Sequence, residues 1–265
     1  MKNIWIYITA AVLVLSLYGC DKQEIAASKV TALQTIKDRG FIVVGVKGDA
    51  CKFGCKDPNT GVLDGFDIDM AKTLAKKILG DEKKLVTVAV TAASRGVMLN
   101  DDKLDYVIAT FTITEDRKKD FSFSNPYFTD SGISMMVKKN SGIRSIKDLN
   151  NKRIGVVANT TAIKVMQDAA TEAGIKINII EYDIYPWVKK ALNADDIDCF
   201  ATNGIILQSY MDESVILIGD KLVPQQYGIA SKKGNSELTQ AANEVIESLQ
   251  QSGEINNIKT KWGLL

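Results

Sequence analysis

Asp105-Tyr-Val-Ile-Ala-Thr-Phe-Thr-Ile-Thr-Glu-Asp-Arg117, followed closely by Phe121-Ser-Phe-Ser-Asn-Pro-Tyr127, is the stretch on which the reading of this chain turns. Val107, Ile108 and Phe111 predict a short buried strand over residues 106–111. Around its end stand three hydroxyls, Thr110, Thr112 and Thr114, and then a single Arg117. Hydroxyls and free backbone N–H groups at a strand end, with a guanidinium a few residues on, suit a carboxylate held away from water. The planar fork of Arg meets both carboxylate oxygens at once, which the point charge of Lys does not.

On both sides of this stretch, short β-branched runs alternate with amphipathic helical patterns, the mark of α/β architecture with largely parallel sheets. Residues 41–46 predict a buried strand. Phe66, Met70, Leu74 and Ile78 recur at near-helical spacing and close at Gly80. Residues 85–90 predict a strand and 95–99 a helix. Past residue 131 the pattern restarts with a strand over 133–139. Strands over 153–157, 177–182 and 198–201 then alternate with helices over 160–173 and 187–192. An extended segment over 226–232 and a final amphipathic helix over 237–249 complete the chain.

Composition removes several classes of function. The net charge is +1, which implies neither nucleic acid nor an acidic surface as a partner. The chain has no His, which removes the commonest general acid/base and the commonest metal ligand. Of four cysteines, Cys51 and Cys55 lie four apart in a Gly-containing loop, a spacing that fits either a disulfide or two free thiols. Cys199, within Ile197-Asp-Cys-Phe-Ala201, reads as a small buried hydrophobe. Three thiols without His are a poor zinc set, so no metal and no cofactor is expected. At the N-terminus Lys2 and the apolar run 4–17 fit a signal peptide over residues 1–19. Leu17-Tyr18-Gly19-Cys20 resembles a lipobox, in which Cys20 becomes the lipidated first residue of the mature chain. Asp21 beside it resembles an inner-membrane retention signal. Residues 20–39 then hold the tether and a first helix.

The Thr/Arg run closely resembles the ligand-binding segment of family 3 extracellular solute-binding proteins, the amino-acid receptors of ABC importers. The likeness runs from about Gly40 to Trp262 and is nearest to the aspartate/glutamate-binding members. Its further motifs are Gly45-Val-Lys-Gly-Asp49, Gly65-Phe-Asp-Ile-Asp-Met-Ala71, Ala93-Ser-Arg-Gly96 and Gln226-Tyr-Gly-Ile229. The resemblance implies a two-lobed periplasmic-binding-protein fold of type II, two α/β lobes joined by two hinge strands. Lobe one would comprise residues 40–132 plus 228–265 and lobe two residues 137–223, with hinge strands near 133–137 and 224–230.

The same resemblance assigns roles. Arg117 would clamp the ligand α-carboxylate, helped by Thr110 and Thr112. Thr161, before a helix whose N-terminal N–H groups favour an anion, would add to it. Arg95 and Lys47 would meet a side-chain carboxylate, and Phe53 the aliphatic part of the ligand. Tyr185 would close from lobe two, while Trp187 packs within that lobe. Where family members place an Asp for the α-ammonium, this chain has Asn203, which accepts a hydrogen bond but brings no charge.

The function implied is capture, not catalysis: a lipid-anchored monomer on the outer face of the cytoplasmic membrane takes up an acidic amino acid. It would close over the ligand and deliver it to an ABC permease and its ATPase. An amine-free dicarboxylate or another polar amino acid is the alternative ligand. A cyclohexadienyl-dehydratase-like enzyme on the same scaffold would need a carboxylate poised in the cleft. Asp49 and Asp67 are the candidates left once Asn203 is excluded.

Overall fold

The computed structural model describes residues 30–265, so the expected signal peptide and Cys20 lie outside the described residues. The chain runs α1 (Ala32–Arg39), β1 (Ile42–Lys47), β2 (Asp49–Ala50), β3 (Gly54–Lys56), β4 (Leu63–Asp64), α2 (Phe66–Leu79), β5 (Leu85–Val90) and α3 (Ser94–Asn100). It continues through β6 (Tyr106–Val107), α4 (Glu115–Asp120), β7 (Phe121–Lys138), β8 (Lys152–Val157), α5 (Ala162–Glu172), β9 (Ile177–Tyr182) and α6 (Tyr185–Asn193). β10 (Cys199–Asn203), α7 (Gly204–Gln208), β11 (Val215–Lys232), α8 (Ser236–Gln251) and α9 (Glu254–Lys261) follow.

Eight strands form one sheet in the order β5-β1-β6-β11-β7-β10-β8-β9. Its two halves mirror each other. In the first, β5, β1 and β6 are parallel and β11 joins antiparallel to β6. In the second, β9, β8 and β10 are parallel and β7 joins antiparallel to β10. The 18-residue strands β7 and β11 pair with each other in the middle and belong to both halves. Their register shifts at several points between Ile218 and Ala230, which bends the ribbon where the halves meet. Residues 31–265 form one compact unit.

The helices lie where their apolar faces dictate. α2 carries Phe66, Met70, Ala71, Leu74 and Ala75 inward and stops at Gly80, whose left-handed φ of 75° lets its N–H return to Lys76. α8 packs on α2 and on the central strands, and Tyr106 donates to the Leu238 carbonyl at 2.7 Å, tying the C-terminal part to β6. In α6 the buried positions are Tyr185, Val188, Ala191 and Leu192. Trp187 falls off that face and is 52% exposed, which corrects the expectation that it packs within the lobe. The final helix is α9, not the one over 237–249, because Gly253 at φ 73° breaks the chain between them.

A small antiparallel sheet, β2-β3-β4, caps the end of β1. Cys51 and Cys55 are disulfide-bonded across its hairpin, and Cys199 is a free, buried thiol. Two glycines make the stacking possible. A Cβ on Gly54 would lie 2.3 Å from the Lys47 carbonyl oxygen, and one on Gly65, at φ 146°, would lie 2.2 Å from that of Phe53.

Candidate functional site

A small polar cavity lies where the two halves of the sheet face each other. Arg95, Thr110, Thr112, Arg117, Gln225 and Tyr227 line it from the first half and the central strands. Thr160, Thr161, Tyr185, Thr202, Asn203 and the apolar Ile133 and Ile206 line it from the other side. Seven of the nine expected ligand contacts therefore converge on one space. Among the described residues, none of those lining the cavity is an aspartate or glutamate.

Arg117 is placed by α4, a helix with no buried residue and therefore no apolar periodicity to announce it. Thr114 caps it by accepting from the Arg117 N–H at 3.2 Å, and Glu115 and Asp116 occupy the first turn, where negative charge is favoured. The Arg117 guanidinium donates to the Thr112 carbonyl at 2.8 Å and, across the cleft, to the Asn159 carbonyl at 3.0 Å. Asn159 adopts a φ of 59°, a left-handed conformation that Asn tolerates better than most residues. Arg95, 3% exposed, donates to the Ala109 carbonyl at 2.6 Å, while its Nε is buried without a hydrogen-bond partner. Both guanidinium carbons lie against the Phe111 ring, at 4.1 Å for Arg95 and 4.7 Å for Arg117.

Two like charges share one cleft. Burial, and after it the charge of Arg95, lowers the Arg117 pKa to about 9. Burial lowers that of Arg95 too. Arg117 remains cationic at neutral pH, and an anion in the cavity would offset the burial of both groups.

The strand expected over 106–111 ends at Val107, because the next residues give their backbone groups to the site. The Thr110 N–H donates to the Asp67 carboxylate at 3.0 Å, and the Ala109 and Thr110 carbonyls accept from Arg95. Thr110 sits at φ 47°, a strained conformation for a β-branched residue that costs about 1–3 kcal/mol and must be held by its surroundings. Asp67 supplies that hold, completely buried between Thr110 and the Tyr127 hydroxyl at 2.9 Å. Burial pushes its pKa up to about 8.

Two expected contacts stand behind the wall of the cavity instead of in it. Lys47 is fully buried and ion-paired with Asp49 at 2.8 Å, with its ammonium 5.1 Å from the Tyr185 ring. Its charge is met inside the protein by Asp49, two residues on. Phe53 is fully buried in an aromatic cluster with Phe66, Phe128 and Tyr227, so it supports the cavity through Tyr227. Asp49 and Asp67, the carboxylates an enzyme would need, are likewise absent from the lining.

On the second side, the Thr161 hydroxyl donates to Gln225 Oε1 at 2.7 Å and thus bridges to β11. Thr202 hydrogen-bonds the Tyr185 hydroxyl, whose pKa burial raises to about 12. Asn203 caps α7, its Oδ1 accepting from the Ile205 N–H at 3.0 Å. Gln225, Thr202, Ile133 and Ile206 were not foreseen from sequence. Tyr227 lay within a quoted motif, and only the pairing of β11 with β7 could have pointed to its neighbour Gln225.

Residues 42–264 match the model of the bacterial extracellular solute-binding proteins, family 3. The chain belongs to that family. It is 38% identical over 247 residues to the ABC transporter glutamine-binding protein GlnH of Bacillus subtilis, covering 92% of this chain and 89% of the relative. It is 37% identical over 252 residues to the glutamine-binding protein of Geobacillus stearothermophilus, covering 88% and 94%. Among solved structures, an ancestral arginine-binding protein bound to glutamine matches with a TM-score of 0.77 and 34% identity over 86% of this chain and 99% of that one. The fold is accordingly the two-lobed, type II periplasmic-binding-protein fold.

Proposed function

We propose that this solute-binding protein captures a small acid with two carboxylates, the acidic amino acids aspartate and glutamate among them, outside the cytoplasm and delivers it to an ABC permease. One observation carries the reading: a buried guanidinium, Arg95, and a half-buried one, Arg117, share a cavity in which no lining residue is a carboxylate. A neutral or cationic ligand side chain would leave one of these charges unmatched in a site where an uncompensated buried ion costs several kcal/mol. Arg117, Thr112 and Thr161 would hold one carboxylate, and Arg95 the other, with Tyr185 and Asn203 closing over them. Residues 40–132 with 228–265 would act as one lobe and 137–223 as the other, hinged near 133–137 and 224–230. Lipidation of Cys20 would keep the protein, as a monomer, at the membrane within reach of the permease.

Calorimetric titration of protein stripped of carried-over ligand by unfolding and refolding tests this. Glutamate or aspartate is expected to bind more tightly than glutamine, and Arg95→Lys to weaken that binding on the order of 10- to 100-fold, the worth of a lost charge-assisted fork. The second reading is glutamine, favoured by the names of the two curated relatives. Tighter binding of glutamine than of glutamate selects it.

A further inference from the structure

The polarity of the hydrogen bonds in the cavity goes further than its charge, and the inference drawn from it rests on the anionic reading above. An α-ammonium group needs acceptors. Several acceptors at this cleft already hold one hydrogen bond, and none of them carries a charge. The Ala109 and Thr110 carbonyls take hydrogen bonds from Arg95, and the Thr112 and Asn159 carbonyls take them from Arg117. Gln225 Oε1 accepts from the Thr161 hydroxyl, and Asn203 Oδ1 accepts from the Ile205 N–H. The Thr160 hydroxyl is turned to the Val157 carbonyl, consistent with a lining whose polarity is set by the fold.

The nearest carboxylates lie one layer back and are spent there. Asp49 is paired with Lys47 and also accepts from the Tyr185 N–H at 3.2 Å. Asp67 is locked between Tyr127 and Thr110 and is held largely neutral at pH 7 by its burial. The charged groups that greet a ligand are both donors, two guanidiniums, one with an unsatisfied Nε, and the helix end at Thr161 adds to them. An ammonium brought into this space would sit beside two cations with no anion of the protein to face it.

We infer that the cavity, with two cations and no carboxylate in its lining, selects for an amine-free dicarboxylate of four or five carbons, and that Asn203 is the residue that sets this discrimination. Asn203 stands in the lining next to Thr202, and an Asp there would be isosteric. Asp also caps a helix as well as Asn does, so Asn203→Asp preserves the bond to Ile205 while adding the missing charge.

The test uses ligand pairs that differ only in the amine, glutamate against glutarate and aspartate against succinate, titrated into the stripped full-length protein by calorimetry. The amine-free member of each pair is expected to bind about 10-fold more tightly, the sign following from an unpaired buried cation. In Asn203→Asp the ratio is expected to move toward the amino acid on the order of 10- to 100-fold, as a charge-assisted bond to the ammonium forms. Glutamate or aspartate exceeding its amine-free partner in the native protein overturns the inference and leaves the anionic reading intact. An Asn203→Asp protein that folds, by its thermal transition, with an unchanged ratio also overturns it. Binding of glutamine with silence toward all four acids removes both.

Discussion

At the scale of single residues, Asp67 has the sharpest consequence. It is a carboxyl with no exposure, and its charge is disfavoured by burial more than it is favoured by Tyr127, Thr110 and the nearby cations, so its pKa is raised to about 8 from an ordinary 3.8. In the folded protein it therefore keeps its proton up to about pH 8, while in the unfolded chain it loses it near pH 4. Between those values the folded state holds the extra proton, so stability falls as pH rises through the window. Asp67→Asn carries no charge: its oxygen can accept from the Thr110 N–H, while its NH₂ can only donate to the Tyr127 oxygen, reversing the bond in which Tyr127 donates to Asp67. Thermal unfolding of the variant should match the native protein near pH 5 and exceed it near pH 9, by a few kcal/mol at most on the usual conversion of pKa into free energy. Parallel curves for the two proteins would remove Asp67 as the cause. Residues of this kind divide by legibility. Arg117 and the threonines could be read because their chemistry faces outward into the cleft. Lys47 could not, because a lysine in a loop motif does not reveal that Asp49, two residues on, will be folded against it.

At the scale of elements, the hairpin formed by β2 and β3 reaches from the first half to the second. The Tyr210 hydroxyl donates to the Asp49 carbonyl at 2.6 Å, the Ser209 hydroxyl to the Cys51 carbonyl at 2.8 Å, and Lys52 to Gln208 at 3.0 Å. All three contacts arise on a loop closed by the Cys51–Cys55 disulfide, which limits its freedom before the halves meet. A five-residue loop gains about 2 kcal/mol of stability from such a closure on the chain-entropy model. Reduction, or the double variant Cys51→Ala with Cys55→Ala, should lower stability by about that amount and weaken ligand binding several-fold, although neither cysteine lines the cavity. Denaturant unfolding and titration with and without reductant measure both, and an affinity untouched by reduction would show the hairpin plays no part in closure. Element legibility followed apolar periodicity. β5 and β9 lie where the sequence places them, since their β-branched runs are unbroken. β7 extends 12 residues before Ile133, through Phe121-Ser-Phe-Ser-Asn-Pro, where alternation and Pro126 suggest a boundary. Pro126 is tolerated because the ladder shifts register opposite it, at Gly228.

At the scale of the whole molecule, the same sheet topology that supplies two similar halves also makes them depend on each other. β7 and β11 pass through both halves, so a rotation of one half against the other would have to bend that ribbon, and its register shifts between Ile218 and Ala230 would offer the place. The closed arrangement is held by bonds that no ligand touches, at Tyr210, Ser209 and Lys52, together with bonds that belong to the cavity, Arg117 to Asn159 and Thr161 to Gln225. These two sets have separable effects. Removing a bond of the first set changes the balance of open and closed forms and hence the apparent affinity for every ligand by one common factor, because a ligand can shift that balance only by its own differential binding. Removing a lining group changes affinities ligand by ligand. The double variant Ser209→Ala with Tyr210→Phe loses two cross-half hydrogen bonds, each worth about 0.5–1.5 kcal/mol. It should weaken glutamate, aspartate, glutarate and succinate alike by roughly 10-fold, with the faster dissociation that a less stable closed form implies. Titration of all four into this protein, beside Asn203→Asp, gives the comparison. A uniform loss in the first variant and a reordering in the second place closure and recognition in different residues. Reordering in the Ser209 and Tyr210 variant would mean that the hairpin shapes the cavity itself, and that the ribbon does not let the halves move as units.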